Sequence, residues 1–121
     1  MKEIIERAER LGYKGSDFKT TLSLHEQRLK IYPDDHTFLM KEYDRDKYIE
    51  LCLIQKWLRE KKGVNVIIQM STYVSPNGDN NYYIMIYTKD DYANSIYDYS
   101  PTYEQALEEG IKKALEILEK L

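Results

Sequence analysis

Val64-Asn65-Val66-Ile67-Ile68-Gln69-Met70-Ser71-Thr72-Tyr73-Val74, answered by Tyr82-Tyr83-Ile84-Met85-Ile86-Tyr87-Thr88, is the stretch whose reading decides the fold. Both segments are rich in β-branched and aromatic residues, and alternation places Val64, Val66, Ile68, Met70 and Val74 on one face of the first. Between them, Ser75-Pro76-Asn77-Gly78-Asp79-Asn80-Asn81 is a turn: proline fixes φ and the Asn-Gly pair accepts positive φ. A hairpin follows. Its return strand sets Tyr82, Ile84 and Ile86 on one face and Tyr83, Met85 and Tyr87 on the other. Ile67, Gln69 and Tyr73 fall on the matching face of the first strand. Lys89-Asp90-Asp91 makes the next turn, and a third, weaker strand is expected over Ser95–Tyr99.

Helical patterns flank this sheet. Upstream, Tyr48, Leu51, Cys52, Gln55 and Leu58 recur on one helical face, widened by Ile49, Leu53, Ile54 and Trp57, from Asp44 to a stop at Gly63. A helix apolar over so much of its circumference is expected to be covered on more than one side. Downstream, Thr102 is placed to cap a helix running to about Lys120, with Gln105 reaching back and Glu104 at the positive end of the dipole. Its apolar stripe is Tyr103, Ala106, Leu107, Gly110, Ile111, Ala114, Leu118 and Leu121. Gly110 costs a helix interior about 1 kcal/mol relative to alanine, which points to close approach by a strand or ring. At the N-terminus, Ile4, Ile5, Ala8 and Leu11 predict a short helix over 2–11, ended by Gly12. Residues 12–24 read as an ordered connection pinned by Phe18 and Leu22, and His25–Tyr32 as a helical turn or two stopped by Pro33-Asp34-Asp35. Residues 36–43 fit either a strand or a tucked loop. The expected fold is α+β, an antiparallel hairpin-based sheet of two to three strands against a central and a C-terminal helix. The 121 residues suit one domain, with 1–43 as a helical and loop region and 44–121 as the body.

Composition narrows the functional classes. No run approaches the 18 or so apolar residues of a membrane span, and the charged opening Met1-Lys2-Glu3-Ile4-Ile5-Glu6-Arg7 lacks a signal-peptide core, so we expect a cytoplasmic protein without membrane contact. Cys52 is the single cysteine, which excludes an intrachain disulfide and a cysteine-based zinc site. Residues 1–63 hold 14 Lys or Arg against 12 Asp or Glu, and residues 64–121 hold 4 against 9. The halves differ in sign, yet +2 over the first is far below the basic footprint of a nucleic-acid or lipid binder.

Catalytic patterns are weak. Cys52 lies within the most apolar helix, as a small core residue does. His25 and His36 form no helical pair of the HExxH type, and Asp34, Asp35, Asp44 and Asp46 have turn and capping roles available. The five glycines are scattered singly, so no phosphate-binding loop exists. The order helix, three strands, helix is that of double-stranded RNA-binding domains, but Glu104, Glu108 and Glu109 would repel phosphate where those domains place basic residues. We therefore expect no enzyme, no cofactor and no metal.

The distinctive feature is aromatic. Tyr73, Tyr83, Met85 and Tyr87 share one sheet face, which suits a protein interface, stacked unpaired bases, or cover by another part of the chain. With Lys89 the one basic residue near these strands, phosphate affinity is disfavoured and a protein partner preferred, a homodimer included. The alternative is a nucleic-acid regulator using the tyrosines with Lys56, Arg59, Lys61 and Lys62 as phosphate contacts.

Gln55-Lys56-Trp57-Leu58-Arg59-Glu60, running at once into Val64-Asn65-Val66, and Thr102-Tyr103-Glu104-Gln105-Ala106-Leu107-Glu108-Glu109-Gly110-Ile111 resemble a set of small uncharacterised proteins encoded by Bacteroidetes phages and mobile elements. The resemblance covers residues 49–121, and the N-terminal region shares only a short opening helix ending in Leu11-Gly12-Tyr13. It implies a phage or prophage context and brings no activity, cofactor or site residue with it.

Overall fold

Ile4, Ile5 and Ala8 recur at helical spacing, and helix α1 (Lys2–Arg10) buries all three. Its end is built by Gly12, whose φ of 106° lies where side-chain-bearing residues are strained. Tyr13 N–H donates to the Ala8 carbonyl and Gly12 N–H to that of Glu9, both at 3.0 Å, the paired bonds of a Schellman motif. The reversal carries Tyr13 inward. There its hydroxyl donates to Oε1 of Glu50 at 2.6 Å, and both side chains are buried.

The computed structural model describes residues 1–14, 18–31, 34, 36–74, 80–88 and 91–120, and leaves aside the side chains of 18–23, 36–38, 71–74, 80–81 and 91–99. Its elements after α1 are helices α2 (Phe18–Ile31) and α3 (His36–Lys61), strands β1 (Val64–Val74), β2 (Asn80–Thr88) and β3 (Asp91–Ser100), and helix α4 (Tyr103–Glu119). The chain divides into two compact units, Met1–Leu53 and Ile54–Leu121, with the boundary inside α3.

Two expectations for the N-terminal unit are corrected. The connection read over 12–24 is helical from Phe18, and 36–43 is neither strand nor loop but the first two turns of α3. Thr20, Thr21 and Ser23 are weak helix formers, and helices of this length depend on tertiary contacts more than on propensity. One such contact is His25 Nε2 to Asp46 Oδ2 at 2.9 Å, between α2 and α3. Read with the rest of α3, Leu39 stands in helical phase with Glu50, Leu51, Ile54 and Leu58, all of them buried. The central helix is also less fully covered than its composition implied, since Ile49 and Leu53 remain exposed while Glu50 is inside.

In the C-terminal unit the strands follow their sequence pattern, in the order β1-β2-β3 and antiparallel throughout. Val66 pairs with Ile86 and Ile68 with Ile84, so the branched residues of the two strands share a face. Helix α4 lies on it. Ala106, Leu107, Gly110, Ile111, Ala114 and Leu115 are buried along one side of α4, and Thr102 Oγ1 caps the helix by accepting from Gln105 N–H at 3.2 Å. A Cβ on Gly110 would stand 2.7 Å from Val66 Cγ1 and 3.0 Å from Ile84 Cγ2. Helix and sheet therefore meet where a side chain is missing. From α3, Gln55 Nε2 donates to the carbonyl oxygen of Val66 at 2.7 Å and ties the last turns of that helix to β1, an edge strand.

Gly110→Ala tests this seam. Alanine favours the helix by about 1 kcal/mol, but overfilling a core costs about 1–3 kcal/mol, and the stiff Val66 cannot swing aside. Urea unfolding is expected to show a net loss of stability. Combined with Val66→Ala, the loss should be smaller than the sum of the two single losses; strict additivity would contradict the close approach.

Candidate functional site: the aromatic face of the sheet

Alternation along β2 sends its tyrosines to two different places. Tyr82 belongs with Ile84 and Ile86, and its ring meets Tyr103 of α4 edge to face, with centroids 6.0 Å apart and planes at 89°. Tyr83, Met85 and Tyr87 point the other way, and all three are half-buried. Tyr87 Oη lies 3.8 Å from Met85 Sδ, so the two side chains stand together on the surface of the sheet.

Register supplies the neighbours. On β1, Gln69 pairs with Tyr83, Ile67 with Met85 and Asn65 with Tyr87; Gln69 is exposed and the other two are half-buried. On β3, Tyr99 stands opposite Tyr83 and Ser95 opposite Met85. The sequence reading placed Tyr99 in the third strand, and its backbone register sets it opposite Tyr83; its side chain, like that of Ser95, is outside the described residues. Tyr73 lies in β1 beyond Met70, where the register shifts before Val74. Its side chain is outside the described residues, as is the Asn77-Gly78 tip of the hairpin.

The basic residues of the alternative reading occupy a different element. Lys56, Arg59 and Lys61 are exposed on the last turns of α3, and Lys62 follows, with its Nζ 5.7 Å from the centroid of the Trp57 ring. That distance is within reach of a cation–π attraction.

Two pairs of titratable side chains in the N-terminal unit, Tyr13 with Glu50 and His25 with Asp46, are engaged in structure. His25 is buried with Nε2 on Asp46, and its Nδ1 is buried without a hydrogen-bond partner among the described residues. The His25–Asp46 bond is part-buried, with Asp46 at 20 % exposure, and it links α2 to α3. Sequence reasoning missed it, since residues 21 apart on elements of undecided type carry no spacing signal. Cys52 is a free thiol, half-buried on α3. Among the described residues no group of three or more His, Cys, Asp or Glu side chains is arranged to hold a metal ion, and no helix is long and apolar enough to cross a membrane. No protein-family model matches the chain, and no curated protein or solved structure matches it.

Tyr13 is the one described group with a clear electrostatic signature. Burial first, then the hydrogen bond and charge of Glu50, then the charge of Glu9, raise its phenol above the ordinary tyrosine range. The folded form thus holds a proton that the unfolded chain releases near pH 10. The associated stability is complete below that pH and is lost as pH rises from there toward the raised value. We expect the urea midpoint to fall between pH 9 and 11, and to fall less steeply in Tyr13→Phe. At neutral pH that variant should lose about 1–3 kcal/mol, because a buried Glu50 oxygen loses its donor; an unchanged midpoint and an unchanged slope would contradict the assignment.

Proposed function

We propose that the chain is a small non-enzymatic protein-interaction module of phage or mobile-element origin, acting from the cytoplasm by occupying a surface of a host or phage protein. Its contacts come from the sheet face that carries Tyr83, Met85 and Tyr87, with Tyr73 on the extension of β1. One observation carries this reading: the three side chains are half-buried, with part of each left accessible, on the face that α4 does not take. Tyrosine offers wide contact area with few rotors to freeze, and methionine adapts to irregular partners. Such residues are enriched at interface centres. The acidic excess of residues 64–121 disfavours phosphate on the same surface.

The test is a double substitution, Tyr83→Ala with Tyr87→Ala, assayed by light scattering over a range of protein concentrations and by capture of partners from host cytosol. The variant is expected to keep its fold by circular dichroism and to lose partner capture or, if the partner is a second copy, self-association. Unchanged capture and unchanged mass would refute the proposal.

A second reading draws on the exposed Lys56, Arg59, Lys61 and Lys62 at the end of α3. A nucleic-acid regulator using these cations would bind single-stranded DNA or RNA with an affinity falling roughly as [salt] to the power −2 to −3, from about 0.7 counterions released per phosphate contacted. No gel shift at low salt would eliminate it.

A further inference from the structure

Strand β1 lies at one edge of the sheet, and over Val64–Met70 its pairing with β2 runs without a shift. A free edge offers unmatched N–H and C=O groups to any further strand, and proteins blunt such edges with charges, prolines, bulges or short length. The other edge strand is blunted: β3 carries Asp91 and Asp98 in its sequence, and its register against β2 shifts twice. β1 lacks these devices over the regular stretch. Its 11 residues include no charged residue, no proline and no glycine. Gln69 and Met70 are exposed, Met70 at 54 %.

Gln55 stands against this edge. Its Nε2 donates to the Val66 oxygen at 2.7 Å, and both residues belong to the C-terminal unit. In an antiparallel ladder successive residues alternate between exchanging both backbone bonds with the partner strand and turning both groups away from it. A Val66 carbonyl facing β2 would have the N–H of its partner Ile86 as donor. One that takes its donor from α3 faces the open side. Val66 therefore belongs to the outward set, and with it, at steps of two, Val64, Ile68 and Met70.

The outward set fixes what an unguarded edge would do. Two copies of β1 meeting antiparallel about a twofold axis at Ile68 would set Ile68 opposite Ile68, and Val66 of each copy opposite Met70 of the other. No charge would meet a like charge, since β1 has none. In that register the Val66 oxygen is the acceptor for the incoming Met70 N–H, and the Gln55 amide already holds it in both copies. The side chain also stands where the second strand would run. We propose that Gln55 is an edge guard, which caps β1 at Val66 and keeps the strand from adding to β1 of a second copy. The inference does not depend on what the tyrosine face binds.

The experiment uses the full chain, with light scattering over a concentration series and amide hydrogen exchange read residue by residue. In the wild type the amides of Ile67 and Gln69 are expected to exchange slowly and those of Ile68 and Met70 fast; the reverse order, or protection of all four, would overturn the outward assignment or show the edge already paired with Gln55 in place. Gln55→Ala, and Gln55→Met, which keeps an unbranched side chain but has no donor, are both expected to reach about twice the wild-type mass, with Ile68 and Met70 newly protected. Adding Met70→Lys, a charge on an exposed side chain of the edge, should return the mass to that of the wild type. Wild-type mass in both Gln55 variants would overturn the proposal. So would an association that leaves exchange at Ile68 and Met70 unchanged or survives Met70→Lys undiminished, because the contact would then lie away from β1.

Discussion

The contact of Gly110 with Val66 of β1 and Ile84 of β2 is the constraint on which the C-terminal unit depends. A strand pair with branched residues on one face needs a cover, and α4 comes close enough because its central position has no side chain. That contact settles which face of the sheet is interior. The period of two then does the rest: once Ile84 and Ile86 are fully buried, Tyr83, Met85 and Tyr87 are directed to the opposite face whatever their own preference. The candidate site is thus a consequence of a core contact made on the other side of the sheet.

The N-terminal unit is organised differently, by polar struts as well as apolar burial. Tyr13 reaches Glu50 and His25 reaches Asp46, so α3 receives one strut from the segment after α1 and one from α2. A buried carboxylate is tolerable only where donors surround it, and the Schellman turn at Gly12 is what delivers the Tyr13 hydroxyl there. Elsewhere in this unit Leu24 and Ile31 of α2 and Ile49 and Leu53 of α3 keep their side chains exposed.

What could be read beforehand follows from this difference. β1, β2, the Thr102 cap and the close approach at Gly110 were legible because each is a local pattern: alternation, a capping residue, a glycine in an apolar stripe. Alternation placed Gln69 and Tyr83 on matching faces, but the register that sets them opposite each other was not legible, because it shifts between Met70 and Val74. The extent of α2 and the start of α3 were not legible, since Thr20, Thr21 and Ser23 argue locally against helix, and Leu39 joins the buried row only when residues eleven and more positions later are counted with it. Long-range polar pairs such as His25–Asp46 leave no periodic trace. The surplus of apolar residues on α3 was visible, but composition cannot tell a doubly covered helix from one with an open ridge.

The central claim is the division of β2 into an inner row and an outer row, and single cysteines placed in turn at positions 83 to 87 of a Cys52→Ala chain test it most directly. Under native conditions, thiol labelling rates are expected to alternate, fast at 83, 85 and 87 and slow at 84 and 86. Positions 83, 85 and 87 protected as fully as 84 and 86 would contradict the account, because the aromatic face would then be interior as well.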